Sequence, residues 1–311
     1  MITVLFSSHN GARTLPKMLD ALCQINHPDG GWKIIAVNNA STDATSDILD
    51  SYTNRLPLQV LHHAEKGKNS ALNAALTHIQ GELVVLTDDD VLPAQDWLIT
   101  LQDVAENQPD FDIFGGTIEP EWPTPPPEWI LNTPYLNFSY ALTDPSFSQG
   151  EISSKLIWGP NMMVRAKVFN EGHRFRTSIG PKGGTAYIMG SETEFTNRLS
   201  ALGHRCWFEP SAKVRHIIRP EQLQRKWLLG RAYRYGKTTA LQSIEKGSLN
   251  DQATIQGVPR WMYKAIPLTA LRGFFRGAVI QHPASFQDMW KLYGLLGSFT
   301  QYRLHSKDNP S

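Results

Sequence analysis

Over the first ninety positions, apolar runs of strand length alternate with stretches whose apolar residues recur at helical spacing. The runs cover residues 2–6, 33–37, 58–62 and 83–87. Between them, Leu15, Met18, Leu19 and Leu22 stand at i, i+3, i+4 and i+7. A second amphipathic stretch carries Ile48, Leu49 and Tyr52, with Ser41 or Thr42 placed to cap it, and a third carries Leu72, Ala75, Leu76 and Ile79. Strands joined by helices imply right-handed crossovers and a doubly wound, mostly parallel α/β sheet. Ligands bind such sheets beyond the carboxyl ends of the strands, and polar clusters fall there at residues 7–10, 38–39, 65–69 and 88–90.

From residue 119 the pattern changes. Residues 119–129 hold Pro120, Pro123, Pro125, Pro126 and Pro127 together with Trp122 and Trp129. Proline cannot donate to a ladder, so this stretch reads as an extended loop, either the rigid edge of a cleft or a Pro-rich recognition ligand. Strand character returns over residues 156–164. Beyond residue 219 the chain reads as helices rich in aromatic and basic residues, among them Trp227, Arg231, Tyr233, Arg234, Tyr235, Lys237, Trp261, Tyr263 and Lys264. The expected division is therefore 1–218 and a helical appendage, 219–311, with no internal repeat.

Composition narrows the classes. An apolar share of 41% and a charged share of 19% suit a folded chain rather than a disordered one. Thirty basic residues against 29 acidic ones leave a formal charge of +1, which gives no general argument for nucleic-acid binding. Cys23 falls on the apolar side of the first helix and Cys206 in a short hydrophobic run, so two buried reduced thiols are expected rather than a disulfide or a metal site. Reduced thiols suit a cytoplasmic location. The chain opens on a strand with no basic n-region or long apolar h-region, and no signal peptide is expected. A spanning helix needs about 18 uncharged apolar residues. The nearest approach, residues 265–280, is broken by Arg272 and Arg276.

Two clusters carry chemistry. Asp88-Asp89-Asp90 ends the fourth apolar run. Adjacent carboxylates repel one another, and a cation between them relieves the repulsion. Hard oxygen ligands of this kind suit Mg²⁺ or Mn²⁺, which would bridge the phosphates of a nucleotide diphosphate. A solvated acidic turn is the plain alternative. The second cluster, Gly190-Ser191-Glu192-Thr193-Glu194-Phe195, leads into a helix carrying Phe195, Leu199 and Leu202. A carboxylate at a helix start is kept ionised by the positive dipole end and can accept a hydroxyl proton. Ser191 and Glu194 also have the spacing of a capping box. The glycine-rich residues 179–184 just before this cluster read as a flap that closes over substrates.

These segments, with others in order, resemble glycosyltransferase family 2, whose members have the GT-A fold. The resemblance covers residues 2–217 and rests on seven pieces. They are the opening strand into Ser8-His9-Asn10; Val37-Asn38-Asn39-Ala40-Ser41-Thr42-Asp43; Gly67-Lys68-Asn69-Ser70-Ala71-Leu72-Asn73; Thr87-Asp88-Asp89-Asp90; Gly159-Pro160-Asn161-Met162; Gly190-Ser191-Glu192-Thr193-Glu194; and His216.

The resemblance implies inverting transfer of a sugar from a nucleotide diphosphate donor by a metal-dependent enzyme. Ser7 and Asn10 would lie at the nucleoside. Asn38 stands where an acid usually binds the nucleobase, and its amide oxygen can still take the uracil imide proton, which favours a UDP-sugar. Lys68 and Asn73 fall on the nucleotide-side turn, where a lysine can meet a phosphate. Asp88 and Asp90 match the Asp-x-Asp pair, Asp90 as metal ligand and Asp88 nearer the ribose, with Asp89 between them on the donor side. His216 resembles a histidine that joins the metal or diphosphate in some members, although a histidine at a strand end is commonly structural. Glu192 aligns with the base that deprotonates the acceptor. The usual Glu-Asp pair here reads Ser191-Glu192, which lengthens the base by a methylene and removes its companion acid, leaving Glu194 in reserve. Trp122 and Trp158 can stack on sugar rings or serve as core.

The segment Gln222-Leu223-Gln224-Arg225-Lys226-Trp227 nearly repeats the Gln-x-x-Arg-Trp signature of processive polysaccharide synthases with one residue inserted. Those enzymes extrude polymer through a membrane channel, which this chain is not expected to form, so a non-processive enzyme is favoured. Its acceptor would be a saccharide or a lipid-linked saccharide, as in cell-surface polysaccharide assembly. The basic, aromatic C-terminal helices suit an anionic interface such as the inner face of the cytoplasmic membrane, or else close the back of the catalytic domain. A sugar-nucleotide pyrophosphorylase of related fold would need a Gly-rich phosphate loop after the first strand, where residues 7–12 hold Gly11 alone. A non-catalytic nucleotide-sugar or carbohydrate-binding protein explains the donor rim but leaves Glu192 idle.

Overall fold

Strands β1 (Ile2–Ser8), β2 (Trp32–Asn39), β3 (Leu58–His63) and β4 (Leu83–Leu86) form from the four apolar runs in a computed structural model, which describes residues 1–182, 184, 187–249, 252–279 and 284–308. They are followed by β5 (Val91–Pro93), β6 (Ile113–Glu121), β7 (Gly150–Glu151), β8 (Met162–Arg165) and β9 (Cys206–Ile217). The strands lie in one sheet in the order β3-β2-β1-β4-β8-β6-β9-β5, with β7 also pairing β9. The doubly wound half, β3-β2-β1-β4, is parallel throughout. Beyond it the sheet is mixed: β8 runs antiparallel to β4 and β6, and β6 runs parallel to β9.

Continuous apolar runs, rather than alternating ones, are what strands covered on both faces require. Val4, Leu5 and Phe6 are accordingly all fully buried. The helices of this part are α1 (Leu15–Leu22), α2 (Thr45–Tyr52), α3 (Lys68–Ala75) and α4 (Trp97–Asn107). The chain continues through α5 (Glu128–Leu131), α6 (Leu136–Tyr140), α7 (Ala166–Asn170) and α8 (Ser191–Ala201). The four predicted apolar residues of α1 are buried, and Ala71, Leu72 and Ala75 of α3 join Leu5, Ile35, Val84 and Phe195 in one core.

Several boundaries differ from the expectation. Helix α2 starts at Thr45, not after Ser41 or Thr42, because the Asp43 carboxylate takes the Thr45 N–H (3.1 Å) and hydroxyl (2.5 Å). Residues 154–161 form two 3₁₀ turns before β8, so the expected strand over 156–164 begins only at Met162. Pro120 lies inside β6, opposite His216. Strand β8 pairs only with Ile113–Gly115, so this part of β6 is an edge where a missing N–H is tolerated. Leu202 falls beyond α8 and is 62% exposed, since Gly203, at φ +98, ends the helix. Both cysteines are free thiols. Cys206 is buried, which pushes its thiol up to about 12, whereas Cys23 ends α1 only half-buried.

The chain divides into two compact units. The first is Met1–Pro123, Tyr135–Gly183 and Ser191–Ile218, and the second is Thr124–Pro134, Gly184–Gly190 and Arg219–Ser311. The second is built on α9 (Arg225–Glu245), a hairpin of β10 (Thr254–Ile255) and β11 (Val258–Pro259), α10 (Met262–Phe274) and α11 (Ser285–Asp308). Helices α9 and α11 meet backbone to backbone. A Cβ on Gly236 would collide with the Gly294 carbonyl, and one on Gly297 with the Tyr233 carbonyl. The Ser298 hydroxyl donates to the Gly236 carbonyl at 2.8 Å across the same contact. Among the described residues, no helix is long and apolar enough to cross a membrane.

Candidate active site

The β1/β2/β3 register sets Ser8, Asn38 and His62 side by side at the carboxyl rim of the sheet. The Asn38 amide oxygen accepts the Ser41 N–H at 3.3 Å, and Ser7 is half-buried on β1. Asn10 takes a left-handed backbone (φ +57), which a short amide side chain tolerates. Its side-chain oxygen accepts the Thr42 N–H at 2.8 Å, tying the first loop to the second. The Ser8 hydroxyl donates to Asp89, and a Cβ on Gly11 would strike both groups. Asp89 thus anchors the first loop, a role its sequence neighbours do not reveal.

Asn39 fixes the approach to Lys68. Its amide donates to the carbonyls of His63 (3.3 Å) and Glu65 (2.6 Å), and its oxygen accepts the Gly67 N–H (2.8 Å). Lys68 opens α3, and its ammonium lies between two carboxylates, 2.6 Å from Asp88 Oδ1 and 2.7 Å from Glu192 Oε1. The other Glu192 oxygen accepts the Ser191 hydroxyl at 2.9 Å. The three side chains are only 17%, 26% and 22% exposed, so water screens this triad weakly. Burial disfavours the Lys68 charge, but Asp88 and Glu192 outweigh it and hold the ammonium well above its usual range. Burial likewise pushes Glu192 up, and the Lys68 ammonium more than offsets it, holding the carboxyl below its ordinary range. Asp88 ends raised, through burial and the neighbouring Asp90 and Glu192 charges against the pull of Lys68. Gly159 stands so close that a Cβ there would lie 2.6 Å from Glu192 Cγ.

His216 and Asp90 face each other at 3.4 Å, with side chains 11% and 10% exposed. His216 Nδ1 lies 2.7 Å from the Tyr140 carbonyl, an oxygen that only accepts, so Nδ1 carries the proton. A neutral ring then points its Nε2 lone pair at a carboxylate, an arrangement relieved by a proton or by a cation between them. Burial lowers the His216 ring and the Asp90 carboxylate raises it, leaving it above the usual imidazole range. A histidine whose outer nitrogen donates to a carbonyl while the inner one faces an acid fits a divalent-ion ligand set.

Other expected site residues are engaged elsewhere. Both ends of the Asn73 amide hold the Phe175 backbone, at 2.7 and 2.9 Å. Glu194 pairs with Arg198 at 2.9 Å, one turn along α8, rather than serving the expected capping box. Trp122 packs edge-on against Tyr140, and Trp158 against Phe138. The glycine-rich segment before α8 is tied down where described: Asn69 donates to the carbonyls of Arg176 and Ile179, and the Lys68 N–H to Pro181. Gly183 of that segment lies outside the described residues. Asn161, quoted within a motif but given no role, is a buried pin that accepts from Trp97 (2.9 Å) and donates to the carbonyls of Thr117 and Ala212.

A family model described as "Glycosyl transferase family 2" matches residues 3–172. A glucosyl-dolichyl phosphate glucuronosyltransferase of Haloferax volcanii is 27% identical over 165 residues, 53% of this chain and 52% of that protein, so the chain spans about half of that relative. Glycosyltransferase AglE of the same organism is 22% identical over 234 residues, 74% of this chain and 72% of its own. Among solved structures, the mannosyltransferase PcManGT of Pyrobaculum calidifontis, in complex with GDP-Man and Mn²⁺, aligns over 98% of this chain and 87% of its own with a TM-score of 0.63 at 18% identity. S. aureus TarS 1-349, in complex with UDP-GlcNAc, aligns over 96% and 91% with a TM-score of 0.53 at 14% identity. At these identities the structures show a shared GT-A fold.

Proposed function

The chain belongs to glycosyltransferase family 2, and from that premise we propose that it transfers a sugar, with inversion, from a nucleotide diphosphate donor, a UDP-sugar, to a saccharide or lipid-linked saccharide acceptor. The observation that carries this reading is the Asp88–Lys68–Glu192 triad, which joins the donor-side acids to a carboxylate suited to act as base. Glu192, held ionised at neutral pH, takes the acceptor hydroxyl's proton as that oxygen attacks the anomeric carbon from the side opposite the departing phosphate. Asp90 and His216, with Asp88 beside them, would hold a Mn²⁺ or Mg²⁺ ion, whose chemistry there is neutralisation of the leaving diphosphate. Asn38, beside Ser7 and the Asn10 loop, would meet the base.

Calorimetric titration with UDP and GDP, each with and without Mn²⁺, tests the donor site. One diphosphate is expected to bind only with the metal, and Asp90→Ala is expected to weaken it at least tenfold. Binding of neither by the wild-type protein would overturn the assignment.

The second unit supports a peripheral membrane role at the cytoplasmic face. Helix α10 exposes Leu268 (57%), Leu271 (66%) and Phe274 (65%), and Phe275 follows at 52%. Exposed Lys264 and Arg272 flank this apolar face, as on a helix lying on anionic headgroups. An acceptor carried on a lipid would be concentrated in that plane. In sedimentation with phosphatidylglycerol vesicles, Leu271→Glu/Phe274→Glu is expected to reduce binding tenfold or more, since each buried apolar side chain contributes about 1.5–3 kcal/mol. Wild-type protein that stays in the supernatant would refute the membrane role.

A further inference from the structure

At the start of β9, the end away from His216, three groups converge that the proposed reaction does not use. Glu171 follows α7, His173 lies two residues on, and His204 precedes β9. The Glu171 Oε2 atom is 3.8 Å from the Nε2 of each histidine, and the three atoms all lie within 4.8 Å of one another. We propose that Glu171, His173 and His204 form a binding site for a divalent transition ion of the zinc type.

The orientation of His204 points to a metal rather than to a chance contact. Its Nδ1 lies 2.7 Å from Asp112 Oδ2. Asp112 also faces Lys167 Nζ at 2.6 Å through its other oxygen and remains an acceptor-only carboxylate. His204 Nδ1 therefore carries a proton, and in the neutral ring Nε2 presents its lone pair toward Glu171. A carboxylate behind a histidine whose outer nitrogen faces other ligand atoms is the recurrent support of zinc-bound imidazole. The two rings meet edge to face with centroids 5.6 Å apart, so neither blocks the other's nitrogen.

The fit needs the three ligand atoms to draw together. Zinc bonds of 2.0–2.1 Å in tetrahedral array put ligand atoms about 3.3 Å apart, so the two 3.8 Å separations must close by about half an ångström and the histidine nitrogens, within 4.8 Å of each other, by up to about 1.5 Å. Glu171, with a side chain 50% exposed, can supply its part of that shift, and His173, with a side chain 22% exposed, the rest. Two histidines and one carboxylate leave a fourth position for water, and the mixed nitrogen and oxygen set selects zinc over Mg²⁺ or Ca²⁺. The bound ion would tie the turn after α7 to the start of β9. His216 lies at the far end of β9, roughly 30 Å or more away at strand rise, so the two sites are separable by mutation.

Metal-free protein titrated with ZnCl₂, read by calorimetry and by thermal unfolding, tests the site. Wild type is expected to bind one equivalent beyond any ion held at Asp90 and His216, which Asp90→Ala retains, and to gain about 5 °C in Tm at a hundredfold excess over Kd. His173→Ala and Glu171→Gln, both at partly exposed positions, should abolish or weaken that binding, and Asp112→Asn should weaken it by about 10–100-fold. Circular dichroism of each variant separates lost binding from lost fold. Zinc binding whose stoichiometry and affinity are unchanged in folded His173→Ala and Glu171→Gln, that disappears instead in Asp90→Ala, or that is absent from the wild type would overturn the proposal.

Discussion

Glu192→Gln is expected to bind donor nucleotide as the wild type does and to lose about 10³-fold in kcat. The substitution keeps the shape of the side chain, and its amide oxygen can still accept from Lys68, so the pocket has no reason to rearrange. What it removes is the basic lone pair, and positioned general bases contribute typically about 10²–10⁴-fold. The neighbourhood leaves the carboxylate little choice of position. Gly159 presses on its Cγ, Ser191 holds one oxygen and Lys68 the other. Because Glu192 is held below the ordinary carboxyl range, its contribution to stability is present above the unfolded value, about 4.3, and is lost as pH falls through the lower folded value. The wild-type profile of kcat/KM should therefore stay level on its acid side to about that pH. A variant that keeps more than a tenth of wild-type kcat would transfer the base role elsewhere, with Glu194 already committed to Arg198.

Legibility followed the range of the interactions. The parallel half of the sheet was readable because strands covered on both faces need unbroken apolar runs, and each run in the first ninety positions became a strand. The mixed half was not. Strand β8 lies between β4 and β6 although it follows both in sequence, and no local period encodes that insertion. The acids at 88–90 and Glu192 stood out by type and spacing, but their partners did not. Lys68 reaches Glu192 across 124 residues and Asp88 across 20, and Ser8 reaches Asp89 across 81. Asn73 looked like a nucleotide contact by its place in a motif, whereas its amide is spent on the Phe175 backbone 102 residues away. The glycine at 159 carried a signal: a backbone that must approach a reactive side chain closely has room for no Cβ.

Lys68→Met is expected to cost about 3–5 kcal/mol at neutral pH, because it leaves two largely buried carboxylates without their shared cation. Burial raises both acids, and the Asp90 and Glu192 charges raise Asp88 further, so without the ammonium the Glu192 value should rise above its unfolded one and the Asp88 value, already above, should rise further. A carboxyl with a raised folded value contributes stability below its unfolded value, near 4, and loses it as pH rises through the folded one. The deficit relative to wild type should accordingly be larger at pH 8 than at pH 5, as read from urea unfolding at the two pH values. The same rise should carry the acid limb of kcat/KM upward, since Glu192 must lose its proton to act as base. These outcomes separate two roles for one lysine. If its main partner were a donor phosphate, Lys68→Met would raise the donor Kd while leaving unliganded stability and the acid limb where they were. If its partners are Asp88 and Glu192, stability and pH profile must move together, because one ammonium sets the protonation of the base and the charge on the donor side.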